Sequence, residues 1–322
     1  MTATSSARKK NHANFNNKLA VVIATKDRPQ QLRTVISNII EQTYRPTQVI
    51  VVDGSDEPDP SFVGQFPDLK IEYVRVYPPA LTKQKNASLS VVKSDITLIG
   101  FIDDDIILGE QSLEAMMSYW ENAPVQLAGA GLNLTNVVYS KHWLKSLAKR
   151  FFFIDDAHFG RVLRSGLNTP IWNTPRDQSV RWLGGGYTVW RKGVFDHFRF
   201  DEWYQGSGLG EDVNFSFKVG AVYQLAVVAE ATAVHSDHPT QSTEEFSLGK
   251  KQMAAWVYFV AGNKELSITM CLWGCIGTMF LNLVKGISTY NRNLILRALG
   301  NFVGLSSIAR RAVTPGRTLA GS

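Results

Sequence analysis

The stretch Ile96-Thr97-Leu98-Ile99-Gly100-Phe101-Ile102, followed at once by Asp103-Asp104-Asp105, decides the fold of this chain. A largely apolar run of this length reads as a strand buried on both faces, the pattern of a parallel sheet covered by helices. Three adjacent carboxylates at its end repel one another, and the apolar surroundings make that repulsion costlier. A bound cation offsets it, so the run reads as a ligand site rather than a solvated turn.

Upstream, Leu19-Ala20-Val21-Val22-Ile23-Ala24 is a second strand of the same buried kind. Thr25-Lys26-Asp27-Arg28-Pro29 breaks it, and Leu32, Val35, Ile36, Ile39 and Ile40 then recur at helical spacing. Gln48 to Val52 forms another strand, ending at Asp53-Gly54-Ser55-Asp56, and Ile71 to Val76 a further one, before a helical segment around residues 82–93. Strands alternating with helices imply an α/β fold with a mostly parallel, doubly wound sheet flanked by helices. In such sheets ligands bind beyond the carboxyl ends of the strands, where Thr25, Asp53 and Asp103 to Asp105 fall together.

The chemistry of those ends suits a divalent cation. Mg²⁺ and Mn²⁺ take oxygen ligands octahedrally and commonly use one or two carboxylates plus substrate phosphates, a share that Asp103 and Asp105 can supply. Asp53, ahead of Gly54, is placed to accept a hydrogen bond from a base or ribose. Downstream, Gly184-Gly185-Gly186 allows close backbone approach to a ligand. Glu211-Asp212 opens a helix, where the helix dipole accounts for some of the acidity; either carboxylate could also serve as a base beside an acceptor hydroxyl. His235 follows another β-like run and is a further candidate metal ligand.

The order of these motifs resembles the family 2 glycosyltransferases of the GT-A fold: Val-Val-Ile-Ala-Thr-Lys-Asp-Arg from Val21, Val-Asp-Gly-Ser from Val52, Lys85-Asn86, Asp103 to Asp105, Gly184 to Gly186, Glu211-Asp212 and His235. The resemblance covers roughly residues 19–240. It implies transfer of a sugar from a nucleotide-diphosphate donor, UDP-linked by expectation, to an acceptor hydroxyl with inversion. It implies that Thr25, Asp27, Arg28, Asp53, Lys85, Asp103, Asp104, Gly185 and Gly186 bind the donor, with Asp53 on the base. Asp103, Asp105 and His235 would hold Mn²⁺ or Mg²⁺. Asp212 would be the catalytic base and Glu211 would contact the acceptor. Three departures bear on donor choice: Lys85 stands where arginine is common, Ala24 where proline is, and Asp27 where asparagine is. Gln178-Ser179-Val180-Arg181-Trp182 matches a motif of processive synthases, but it precedes Glu211-Asp212 rather than following it and reads as coincidence.

Composition fits an enzyme: 322 residues and 44% hydrophobic content suffice for one large core. The net charge of +6 fits polyanionic partners. No zinc-finger spacing, RNA-binding motif or sustained basic stripe is present, so nucleic acid is not the expected partner. Residues 133–180, rich in aromatic and basic side chains such as His142, Trp143, Arg150 and Phe151, read as an irregular acceptor-side region.

The domain reading is a polar basic tail over 1–18, a catalytic domain over 19–245 and a helical segment over 246–322. No apolar stretch of the kind a secretory signal needs follows the tail, which places the body of the chain in the cytoplasm. Residues 268–284 are apolar but shorter than the ~20 residues that usually span a bilayer. With the apolar helix from Leu294 and the basic Arg310, Arg311 and Arg317, they point to peripheral contact through 265–312 at the inner face of the cell membrane. The alternative is that these helices pack back on the catalytic domain. Cys271 and Cys275, four apart in this stretch, read as buried reduced packing residues. A saccharide or lipid-linked acceptor, in cell-surface polysaccharide or glycolipid synthesis, follows as the expectation. The rival readings are a nucleotidyltransferase, which would want a glycine-rich loop after the first strand where Thr25 to Pro29 has none, and a non-catalytic nucleotide-sugar-binding protein at a membrane.

Overall fold

The computed structural model describes residues 15–137, 143–236 and 242–312. His142, Arg317, most of the basic tail and the side chains of Arg310 and Arg311 fall outside them. β1 (Leu19–Thr25) passes through a turn to α1 (Pro29–Glu41), which starts on a proline, where the missing N–H is no loss. Its Leu32, Val35, Ile36 and Ile39 form one buried stripe. Next come β2 (Gln48–Asp53), β3 (Ile71–Arg75), α2 (Leu81–Ser88) and β4 (Leu98–Ile102). They are followed by β5 (Ile106–Leu108), α3 (Ser112–Glu121), β6 (Leu127–Leu134), α4 (Trp143–Phe151), β7 (Gln178–Val180), β8 (Tyr187–Arg191), α5 (Glu211–Gly220) and β9 (Gln224–His235). Three helices close the described chain: α6 (Ser242–Ala261), α7 (Ile268–Ser288) and α8 (Arg292–Ala312).

The sheet order is β3-β2-β1-β4-β8-β6-β9-β5, with β7 against β9. The first four strands of that order are parallel, with Val22 opposite both Ile50 and Phe101. The side chains of β1, β2 and β4 are the buried runs read from the sequence, every residue of β2 and β4 being buried, while β3 at the edge is half-buried. Beyond β4 the sheet is mixed, because β8 runs antiparallel to both β4 and β6. That reversal positions the site. Ile102 at the end of β4 pairs with Tyr187 at the start of β8, so Gly184 to Gly186 arrive beside Asp103.

The closing helices do pack back. Cys271 and Cys275 are free thiols, buried with Phe217, Met253, Phe259 and Val260 in a cluster separate from the main core. Gly249 on α6 and Gly300 on α8 bring these two helices so close that a Cβ at either would overlap the partner's backbone. Tyr258 of α6 stacks on Trp203 at 3.7 Å and donates to Asp201 at 3.0 Å, which ties the helical unit to the catalytic body. α7 is 21 residues long, longer than the apolar stretch that suggested it, and by length and composition could cross a membrane. Only one side of it is covered: Gly274 lies against Leu167 and Gly277 under the Phe152 ring, while Ile276, Phe280, Val284 and Ile287 face outward.

Candidate active site

The carboxyl ends of β1 and β4 open into a cleft of about 450 Å³ lined by Thr25, Lys26, Arg28, Gln84, Asp103, Asp104, Asp105 and Ser207, among others. The acidic run is held from several sides. Thr25 donates its hydroxyl to Asp104 at 2.7 Å, and the Arg28 guanidinium bridges Asp104 at 2.9 Å and Asp105 at 3.3 Å. Burial raises the Asp104 carboxyl above its ordinary range, although the Thr25 and Arg28 bonds pull the other way. Asp103 donates its backbone N–H to the Gly186 carbonyl at 2.8 Å, and a Cβ on Gly186 would overlap its carboxylate. Burial pushes Asp103 up to about 6, against the pull of Lys85.

Behind the cleft lies a layer that the sequence marked but could not connect. The Lys85 ammonium, 1% exposed, meets Glu211 at 2.6 Å and donates to the Gly185 carbonyl at 2.9 Å. Asp103 and Asp212 also act on this ammonium and keep it protonated. The same burial raises Glu211 and Asp212, so the three carboxylates share one cation and hold protons more tightly than in water. Gly185 is required here, because a Cβ would come within 2.6 Å of Glu211 Oε1 and 2.9 Å of Lys85 Nζ. α5 begins after Gly210, whose left-handed φ of 87° suits glycine, and this turn delivers Glu211 and Asp212 side by side. Asp212 accepts from the Val213 N–H at 2.8 Å. Glu211 Oε2 and the Tyr204 hydroxyl are buried without a hydrogen-bond partner.

The remaining predicted residues, Asp27, Asp53 and His235, lie outside the lining of the cleft, and Asp53 is buried. Asp27 has a left-handed backbone (φ 54°), which Asp and Asn both tolerate, so its replacement of asparagine preserves the turn. Its N–H donates to the Ser55 hydroxyl at 2.8 Å and its carboxylate accepts from the Asp56 N–H at 2.9 Å, clasping the ends of β1 and β2 together. Asp53 accepts from the Ser55 N–H at 2.7 Å and the Tyr73 hydroxyl at 2.6 Å, with lone pairs to spare on both oxygens. His235, partly exposed at the end of β9, places Nε2 3.7 Å from Asp105 Oδ1. Among the described residues no three His, Cys, Asp or Glu side chains gather to hold a cation alone. An aspartate with an imidazole beside it suits a cation that completes its shell from a ligand's phosphates.

One feature escaped the sequence, and one that the sequence set aside has a structural part. Gln84, buried, donates to the Thr25 carbonyl at 2.9 Å and the Val52 carbonyl at 2.8 Å, tying α2 to the strand ends; nothing in the sequence singles it out beside Lys85. The Gln178 to Trp182 motif is structural in part: Arg181 donates to the Gly220 carbonyl, and the buried Trp182 to the Thr169 carbonyl.

A model of the family described as glycosyltransferase like family 2 matches residues 16–258. No curated protein sequence matches the chain. Among solved structures, TarS residues 1–349 of S. aureus is similar at a TM-score of 0.52 and 15% identity, over 89% of this chain and 80% of that one. The mannosyltransferase PcManGT of Pyrobaculum calidifontis, in complex with GDP-Man and Mn²⁺, is similar at 0.51 and 13% identity, over 95% and 86%. At these identities the likeness is one of fold.

Proposed function

The chain belongs to the glycosyltransferase-like family 2 and is a glycosyltransferase, and from that premise we propose that it moves a sugar from a UDP-linked donor to an acceptor hydroxyl by a single displacement with inversion. One observation carries the reading: the acidic run at the end of β4 faces the same cleft as Thr25 and Arg28, while Asp212 stands across the Gly185-Gly186 turn from Asp103.

The donor base lies toward Asp53, an acceptor-only carboxylate suited to the N–H edge of uracil. Asp103 and Asp104 take the ribose and diphosphate, with Thr25, Arg28 and the turn at Asp27 shaping that end. Asp105 and His235 would hold Mn²⁺ or Mg²⁺ there, with Asp103 beside them. The similar mannosyltransferase structure contains Mn²⁺. When bound, the cation supplies charge neutralisation for the departing diphosphate. Asp212 removes the proton of the acceptor hydroxyl as it attacks, and burial raises its basicity for that task. Lys85 fixes Glu211, whose Oε2 is buried without a hydrogen-bond partner. Inversion by one displacement needs one base and no enzyme nucleophile, and Asp212 is the base this reading supplies.

We place this work at the inner face of a membrane, through residues 265–312. Between Ile268 and Ala312 there is no acidic residue, and Lys285 and Arg292 are exposed beside the outward apolar side chains. The test is nucleoside diphosphate release from a donor panel in Mn²⁺, scored with and without an acceptor. UDP release supports the proposal, whereas pyrophosphate release would assign a nucleotidyltransferase instead. Co-sedimentation with phosphatidylglycerol vesicles tests the location.

A further inference from the structure

A second cleft, of about 800 Å³, is lined by Leu147, Arg150, His158, Trp172, Asn173 and Gln178, among others. An indole with amide, imidazole and guanidinium groups around it is the chemistry that holds a saccharide and an anion. This cleft shares a wall with the catalytic carboxylates: Trp172 Nε1 donates to the Tyr187 hydroxyl at 2.8 Å, and that hydroxyl lies against Gly184. The charges of Asp212 and Asp103 act on the same hydroxyl.

Its outer wall leads to the uncovered side of α7. Leu147, 54% exposed, lines the cleft, and Phe151 lies one helical turn beyond it. Phe151 packs edge-on against Trp273 at 5.5 Å, and Trp273 Nε1 donates to the Phe151 carbonyl at 2.9 Å. From Trp273 the exposed side chains Ile276, Phe280, Leu283, Val284 and Ile287 recur at helical spacing, an apolar track along most of α7. At 1.5 Å per residue α7 is roughly 30 Å long. A freely soluble saccharide would leave this track unused. A second copy of the chain would bring Lys285 and Arg292 against their like, in a segment without acids to answer them.

We infer that cleft and track together bind an amphiphilic acceptor, a saccharide joined through a phosphate to a long hydrocarbon. The sugar end occupies the cleft beside Trp172, the phosphate meets the exposed Arg150, and the hydrocarbon lies along α7. The inference rests on the transferase reading and narrows its acceptor to a lipid-borne one.

The test titrates butyl, octyl and dodecyl phosphate, below micellar concentration, into the full chain and measures affinity by calorimetry. Affinity is expected to rise with chain length, dodecyl exceeding butyl phosphate by at least about tenfold, since each buried methylene contributes. In the chain carrying Ile276→Ser and Phe280→Ser, both on the exposed track, the dodecyl advantage should collapse. Arg150→Glu should weaken all three phosphates by similar factors. Affinity independent of chain length in the unsubstituted protein overturns the inference whatever the variants do, and so does a preference that survives the double substitution. UDP release from a UDP-sugar in Mn²⁺, measured on the same unsubstituted preparation, reports separately on the transferase reading.

Discussion

The two halves of the site treat their polar groups differently. On the donor side, at the ends of β1, β2 and β4, the carboxylates of Asp27, Asp53 and Asp104 each accept hydrogen bonds from within the protein. On the proposed acceptor side, Glu211 Oε2 and the Tyr204 hydroxyl are buried without a partner, and α7 leaves its apolar side uncovered. The strand-end carboxylates are held by the protein itself, whereas Glu211 Oε2 and the Tyr204 hydroxyl keep unspent hydrogen-bonding capacity inside the fold and α7 keeps an uncovered apolar side. On the reading proposed above, the strand ends would fix the diphosphate and leave recognition of the acceptor to the other side.

The sharpest way to break this comparison is at its boundary. Asp212→Asn should cut kcat by about 10² to 10⁴, the range expected for a lost general base, while donor affinity measured by calorimetry changes less than about twofold. Turnover near that of the parent would remove Asp212 from its role and the boundary with it. Next in size is Lys85→Met, which strands the Glu211 carboxylate in a buried place. It should destabilise the fold by about 3–5 kcal/mol in urea unfolding, and adding Glu211→Leu should restore much of that loss. Destabilisation confined to the single variant would show that the pair matters for charge balance rather than for packing.

Within the donor half, Asp105→Ala should weaken donor binding about 10- to 100-fold in Mn²⁺ and little in its absence, with His235→Ala weaker in the same sense. Equal loss with and without the cation would make both residues structural. The smallest effect is a pH dependence. Asp103, pushed up to about 6 from 3.8, stays protonated in the folded chain where the unfolded chain has already released its proton. Stability therefore falls as pH rises from 3.8 toward 6. Melting curves of the donor-free protein should show that fall, and Asp103→Asn should make it shallower.

Legibility in the sequence follows the same division. β1, β2 and β4 were readable because strands covered on both faces carry unbroken apolar runs, and the acids at their ends stood out against them. The antiparallel β8 was not, since its short run follows three glycines and nothing local reveals its direction. Lys85 and Glu211 were each marked, yet their ion pair joins residues 126 positions apart and is a property of the topology alone. The second cleft was least visible. Arg150, Trp172 and Gln178 come from a helix, an irregular segment and a strand without shared periodicity, so their convergence appears only in the folded chain. For α7 the pattern gave the helix but understated its length, because Lys285 interrupts the apolar composition without interrupting the helix.

The clasp at Asp27 has a thermodynamic corollary. Its bonds to Ser55 and Asp56 already hold two loops that a nucleotide would otherwise have to immobilise, each fixed residue being worth roughly 1–2 kcal/mol of backbone entropy. Donor association should then carry a small entropic penalty, and Asp27→Ala, which abolishes the side-chain bond and disfavours the left-handed backbone, should move the loss of affinity into the entropy of binding rather than its enthalpy.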